Sequence, residues 1–179
     1  MKIHIIPECE GYKTEYLERI ARLALKPFGQ NIHSYQIEKP YKSSLEMVPL
    51  FDEEEILEEF KKEAELLSNS YGSPFISFVP ASYYSGLSTK KGCFVLTENA
   101  KVGSPSKITK MAKMTAHELG HCLGLVPEGR FLHHYDFDTV DNLDPCLMDF
   151  GWENDIDKRG LRFCKKCEDY LKSTLKQPS

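Results

Sequence analysis

Strand-like and helix-like patterns alternate from Lys2 to Thr97, and that alternation restricts the chain to a small set of folds. Lys2 to Pro7 is β-branched-rich and alternating, which predicts a first strand. Thr14 to Phe28 carries Leu17, Ile20, Ala21, Ala24 and Phe28 at helical spacing and runs into Gly29, so an amphipathic helix is expected there. Alternation returns over Asn31 to Ile37, a second strand, and Lys39 to Val48, broken by Pro40, reads as a loop. Asp52 to Asn69 predicts a second helix with Ile56, Phe60, Ala64 and Leu67 inward and acids in the first turn, where the helix dipole favours them. Pro74 to Val79 and Cys93 to Thr97 are short apolar runs that predict strands, separated by a Ser- and Tyr-rich turn over Ala81 to Lys91. Strand–helix–strand–helix–strand order predicts a mostly parallel sheet with helices packed against it.

A chain of 179 residues fits one domain and buries roughly 70% of its unfolded surface. The net charge of −4 and scattered basic residues argue against a nucleic-acid partner. The apolar run Ile3 to Ile6 is too short for a secretory signal or a membrane span, so neither export nor a membrane partner is expected. No long pro-segment is expected ahead of the first strand. Six cysteines without an export signal are expected to stay reduced or to bind metal, and the compartment reads as cytoplasmic. Cys9 and Cys93 stand alone and read as small buried hydrophobes.

A third helix begins at Ser104-Pro105, a good N-cap followed by proline at the first helical position. Ile108, Met111, Ala112, Thr115, Leu119 and Cys122 form one apolar stripe along it. His117 and His121 lie about 40° apart on the other side, whereas Cys122 is about 140° from His117 and belongs with the core stripe. Gly124 closes the helix with a left-handed cap, and Pro127 follows. His117-Glu118-Leu119-Gly120-His121 has the H-E-x-x-H spacing that lets two imidazoles grip one metal from a single helix face. Zinc accepts neutral imidazole, a catalytic site leaves one position for water, and Glu118 is placed to act as general base on that water. The alternative is a chance match on a surface helix.

Two further blocks follow in order: Cys146-Leu147-Met148, then Cys164-Lys165-Lys166-Cys167. With the histidine block they resemble the archaemetzincins, a branch of the metzincin peptidases whose pattern is H-E-x-x-H-x-x-G-x-x-H-C-x4-C-x-M-x17-C-x-x-C. The resemblance covers His117 to Cys167. It implies an α+β (α/β-like) metzincin fold: a mixed, mostly parallel twisted sheet with packed helices, the H-E-x-x-H helix, and a small C-terminal subdomain. The chain would then be one catalytic domain over 1–179, with an upper subdomain 1–124 and a lower subdomain 125–179. Two zinc ions per chain are implied, one catalytic and held by three histidines, the other structural and held by cysteines. Met148 would form a methionine turn packed under the catalytic zinc.

Two departures from the pattern stand out. Pro127 occupies the third histidine's position and cannot bind zinc, and the cysteine expected after that histidine is absent. Gly124 to Cys146 also holds about a dozen residues more than the pattern. The simplest repair puts His133-His134 in place of the family's His-Cys pair. His133 would complete the catalytic zinc with His117 and His121, and His134 would join Cys146, Cys164 and Cys167 at the structural zinc. Alternatives are His134, Asp136 or Asp138 on the catalytic zinc, or a site with two protein ligands only.

Met148 is also compatible with ordinary core filler. Cys164-x-x-Cys167 as a redox pair would need to follow a strand at the start of a βα unit, whereas here it opens the last helix, with Leu171 and Leu175 on one face. The carboxylates from Asp136 to Asp157 lack the spacing of a calcium loop and read as an acidic lip to the cleft. The leading expectation is a monomeric zinc metallopeptidase acting on peptides or proteins, with aminopeptidase action as one option. Its rival is a non-catalytic or weakly active zinc protein on the same scaffold.

Overall fold

The structure is a computed structural model that describes residues 1–8, 12–32, 34–42, 53–80, 85–97, 105–125, 146–148 and 160–175. Strand β1 (Lys2–Pro7) leads through α1 (Thr14–Leu25) to β2 (Ser34–Ile37), and α2 (Glu53–Tyr71) leads to β3 (Phe75–Pro80). After these come β4 (Ser85–Ser88), β5 (Gly92–Thr97), α3 (Pro105–Cys122) and α4 (Lys165–Thr174). The five strands form one sheet in the order β2-β1-β3-β5-β4. Every pairing is parallel except β4 with β5.

Buried side chains divide between the two faces of that sheet. Ile3, Ile5, Ile76, Phe78, Cys93 and Val95 meet α1 and α3 on one face. Ile6, Phe75, Val79, Phe94 and Leu96 meet Phe60, Ala64 and Leu67 of α2 on the other. Strands covered on both faces explain the near-continuous apolar runs that replace strict alternation in β3 and β5. The first cluster continues through Cys146, Leu147 and Met148 to Phe163, Cys167 and Leu171, so α4 shares the core of α1 and α3. Phe163 packs edge-to-face on Phe28, with ring centroids 5.0 Å apart.

Several expected boundaries move. The α-helix of α1 stops at Leu25, and Lys26–Asn31 winds as a tighter 3₁₀ turn containing Gly29 at φ 56°. Pro27 accounts for this, because its ring has no N–H and clashes with the carbonyl four residues earlier. The next strand accordingly starts at Ser34 rather than Asn31, and α2 runs on to Tyr71 instead of ending at Asn69. The Ala81 to Lys91 segment is not merely a turn, because it contains β4. Ser-Gly-Leu-Ser offers one apolar residue, so neither alternation nor an apolar run marks this edge strand.

In α3 the expected stripe of Ile108, Met111, Ala112, Thr115, Leu119 and Cys122 is buried throughout. Gly124 adopts φ 81°, and its N–H donates to the His121 carbonyl at 2.9 Å, ending the helix as expected. Cys93 is fully buried as a small hydrophobe. Cys9, the loop from residue 43 onward, Ser104 and the acidic segment 136–145 and 149–157 lie outside the described residues.

Candidate metal centre and active site

His117 and His121 leave α3 one turn apart, so their rings face each other. Their Nε2 atoms are 3.1 Å apart, with ring centroids at 4.7 Å and planes at 80°. Two imidazole nitrogens on one tetrahedral zinc, each at about 2.0–2.1 Å, would lie about 3.3 Å apart, so the spacing fits a shared metal. The Nδ1 of His117 lies 2.7 Å from the Leu147 carbonyl oxygen. A carbonyl can only accept, so Nδ1 carries the proton and Nε2 keeps its lone pair for a ligand. A buried main-chain group thereby selects the tautomer that metal binding needs.

Glu118, between the two histidines, turns toward β4. Gly86 pairs with Val95 and Ser88 with Cys93, so both β4 residues share the sheet face that meets α3. A Cβ at Gly86 would overlap Cγ, Cδ and Oε1 of Glu118, so glycine is what lets the carboxylate lie there. Desolvation pushes the Glu118 pKa up to about 8, and a hydrogen bond from the Ser88 side chain opposes part of that rise. The carboxyl therefore lies desolvated against β4, on the same helix as the two facing imidazoles.

Met148 lies beneath the helix. A Cβ at Gly120 would sit 2.6 Å from the Met148 sulfur, so the thioether occupies the space glycine leaves open on α3. At the helix end, a Cβ at Gly124 would sit 2.9 Å from the Tyr170 hydroxyl of α4.

The second cluster joins Cys146, Cys164 and Cys167, whose sulfurs all lie within 4.8 Å of one another. Sγ of Cys146 is 4.0 Å from that of Cys167, close to the roughly 3.8 Å expected for sulfurs on one tetrahedral zinc at about 2.3 Å. The N–H groups of Cys164 and Met148 donate to Cys146 Sγ at 3.2 and 3.5 Å. Cys164 is the N-cap of α4 and Cys167 lies in its first turn, where the helix dipole favours thiolate. Without a counter-charge the thiols oppose one another's ionisation. The Cys146 contact drives the Cys167 pKa up most, while desolvation leads for Cys164. A dication reverses that balance, so the donor set fits a thiophilic metal. Cys122 stays apart, its thiol in the core and pushed up to about 12 by burial.

The structure thus brings together His117, Glu118 and His121, and separately Cys146, Cys164 and Cys167, with Met148 between the two groups. His133, His134, Pro127, Asp136 and Asp138 lie outside the described residues. Sequence reasoning missed Gly86 and Ser88, because β4 carries no periodic signal. It also missed the Leu147 carbonyl, since a main-chain acceptor leaves no trace in residue identity.

The fold is shared with a solved zinc-dependent peptidase and a solved metalloproteinase. A zinc-dependent peptidase from Methanocorpusculum labreanum superposes with a TM-score of 0.60 at 16% identity, covering 94% of this chain and 99% of that one. Metalloproteinase-II from Bacteroides fragilis gives 0.58 at 12% identity, covering 99% of this chain and 53% of that one. At such identities the likeness concerns the fold. In sequence the chain resembles the archaemetzincins. The archaemetzincin of Sulfolobus acidocaldarius is 34% identical over 50% of this chain, which spans about half (48%) of that protein's length. No family profile matches the chain.

Proposed function

We propose that the chain is a zinc-dependent peptidase with a catalytic zinc on His117, His121 and His133 and a structural zinc on Cys146, Cys164, Cys167 and His134. The observation that carries the reading is the pair of Nε2 atoms 3.1 Å apart, with Nδ1 of His117 engaged by a carbonyl and the Glu118 carboxylate held beside β4 on the same helix. The fold shared with a solved zinc-dependent peptidase and a solved metalloproteinase and the sequence likeness to an archaemetzincin support it.

Bound zinc supplies Lewis acidity and water with a pKa near 7. His117 and His121 orient that centre, and Leu147 holds the His117 tautomer. Glu118 takes the proton from the attacking water and delivers it to the leaving amine. Substrates are peptides or proteins, with aminopeptidase action among the options, and the acidic segment beyond Asp136 favours basic ones. The core shared by the sheet and α4 supports a single unit over 1–179, split near 124 into upper and lower parts. We further propose a monomer in the cytoplasm, where thiols remain available as ligands, with no nucleic-acid or membrane partner. Among the described residues no helix is long and apolar enough to cross a membrane.

Quenched fluorescent peptides of mixed sequence test the activity on the zinc-loaded chain. Hydrolysis that disappears in Glu118→Gln, with zinc retained, is expected. A fully loaded chain that cleaves nothing would favour the second reading, a non-catalytic zinc protein, which Pro127 at the usual third-ligand position supports. Equal turnover of acidic and basic peptides would remove the proposed charge preference.

A further inference from the structure

Three consecutive residues connect the two proposed metal sites. Cys146 contributes its sulfur to the thiol cluster, Leu147 presents its carbonyl to His117 at 2.7 Å, and Met148 fills the space beside Gly120. Adjacent Cα atoms are a fixed 3.8 Å apart, so a shift of Cys146 passes directly to the neighbouring carbonyl. The tripeptide has little freedom to absorb it. All three side chains are buried, and Leu147 is held on its other side by an N–H bond to the Arg162 carbonyl at 2.9 Å.

The cluster is also braced against α3 from α4. Cys164 N–H donates to the Cys146 sulfur, Cys167 approaches it, and one turn further along the helix Tyr170 sets its hydroxyl against Gly124. One short helix therefore touches both the thiol cluster and the end of the helix bearing the histidines.

We propose that occupancy of the cysteine cluster sets the metal affinity of the histidine site, with the Leu147 carbonyl as the positioning group between them. The inference rests on the zinc-peptidase reading above and deepens it. A metal drawing three sulfurs to one centre fixes Cys146 and aims the carbonyl at His117 Nδ1. With the cluster empty, the ring loses the partner that orients it and selects its tautomer, and outer-shell partners of metal-bound histidine typically matter 10–100-fold in affinity. Coupling of this kind is reciprocal, so filling the histidine site tightens the cluster by the same factor.

Cobalt(II) separates the two sites on the metal-free full chain, because only the cysteine site produces sulfur-to-cobalt charge-transfer absorption, while the histidine site shows ligand-field bands alone. In Cys164→Ser, cobalt binding at the histidine site is expected to weaken about 10–100-fold relative to the wild type. In His117→Ala, which removes the donor to Leu147, the charge-transfer titration should shift to higher cobalt, and by more than in His121→Ala, which leaves that hydrogen bond intact. If Cys164→Ser does not fold by circular dichroism, the comparison of the two histidine variants decides. Histidine-site affinity within twofold of wild type in folded Cys164→Ser, or coincident charge-transfer titrations in His117→Ala and His121→Ala, would overturn the coupling and leave the peptidase reading intact. A wild-type chain that binds cobalt only with charge-transfer bands would overturn both.

Discussion

The Leu147 carbonyl lies 2.7 Å from His117 Nδ1, and this contact ties the Cys146-Leu147-Met148 segment to the helix that carries the H-E-x-x-H block. Residues 30 apart in sequence thereby share one function: the first can offer a metal a lone pair because the second holds its proton.

Glu118→Gln keeps the shape of the side chain and removes its basicity. Peptide hydrolysis should fall about 10²–10⁴-fold, the usual contribution of general base catalysis. Zinc content, measured by plasma mass spectrometry, should stay at the wild-type level. Loss of zinc in this variant would mean that Glu118 is a ligand and not a base.

Gly86→Ala tests the edge strand. The added methyl overlaps the Glu118 carboxylate, so the carboxylate must move or the strand must shift. Overpacking of this kind costs about 1–3 kcal/mol, and kcat should fall while zinc content holds. Unchanged kcat and stability would show that Glu118 does not depend on β4 for its position.

Gly124→Ala places a side chain at φ 81° and against the Tyr170 hydroxyl. A left-handed conformation costs an L-residue about 1–2 kcal/mol, and the crowding adds to it. Urea unfolding should show at least that loss. Combining it with Tyr170→Ala should recover the part due to crowding and leave the backbone part.

Cys93 supplies a pH dependence. Burial, followed by the nearby Cys122 and Glu118, keeps its thiol well above the ordinary 9.0. Below that value the thiol is neutral in both states and adds no slope. Above it the unfolded chain loses the proton and the folded chain does not, so stability falls as pH rises, by up to about 1.4 kcal/mol per unit. Over the pH unit above 9, Cys93→Ala should lose less stability than the wild type in urea unfolding. Parallel losses would show that this thiol ionises in the folded chain.

The legibility of the sequence follows from how each feature is encoded. The order of β1, α1, β2, α2, β3 and β5 was readable because buried faces demand periodic apolar residues, and the α3 stripe from Ile108 to Cys122 matches in full. The histidine and cysteine blocks stood out by residue type and spacing, and the structure brings His117 to His121 and Cys146 to Cys164 and Cys167. Strand β4 was not, since an edge strand that accommodates a carboxylate is selected for smallness at Gly86 and not for apolar pattern. The shortened α1 was signalled by Pro27, whose effect on the helix outweighed the continuing spacing through Phe28. The Leu147 contact had no sequence signal, because any residue supplies a carbonyl.

Metal stoichiometry tests the central claim most directly. Purified chain should carry two zinc ions, with one lost in His117→Ala and the other in Cys164→Ser. A single zinc that persists undiminished in His117→Ala would contradict a catalytic metal on the H-E-x-x-H helix, and with it the peptidase.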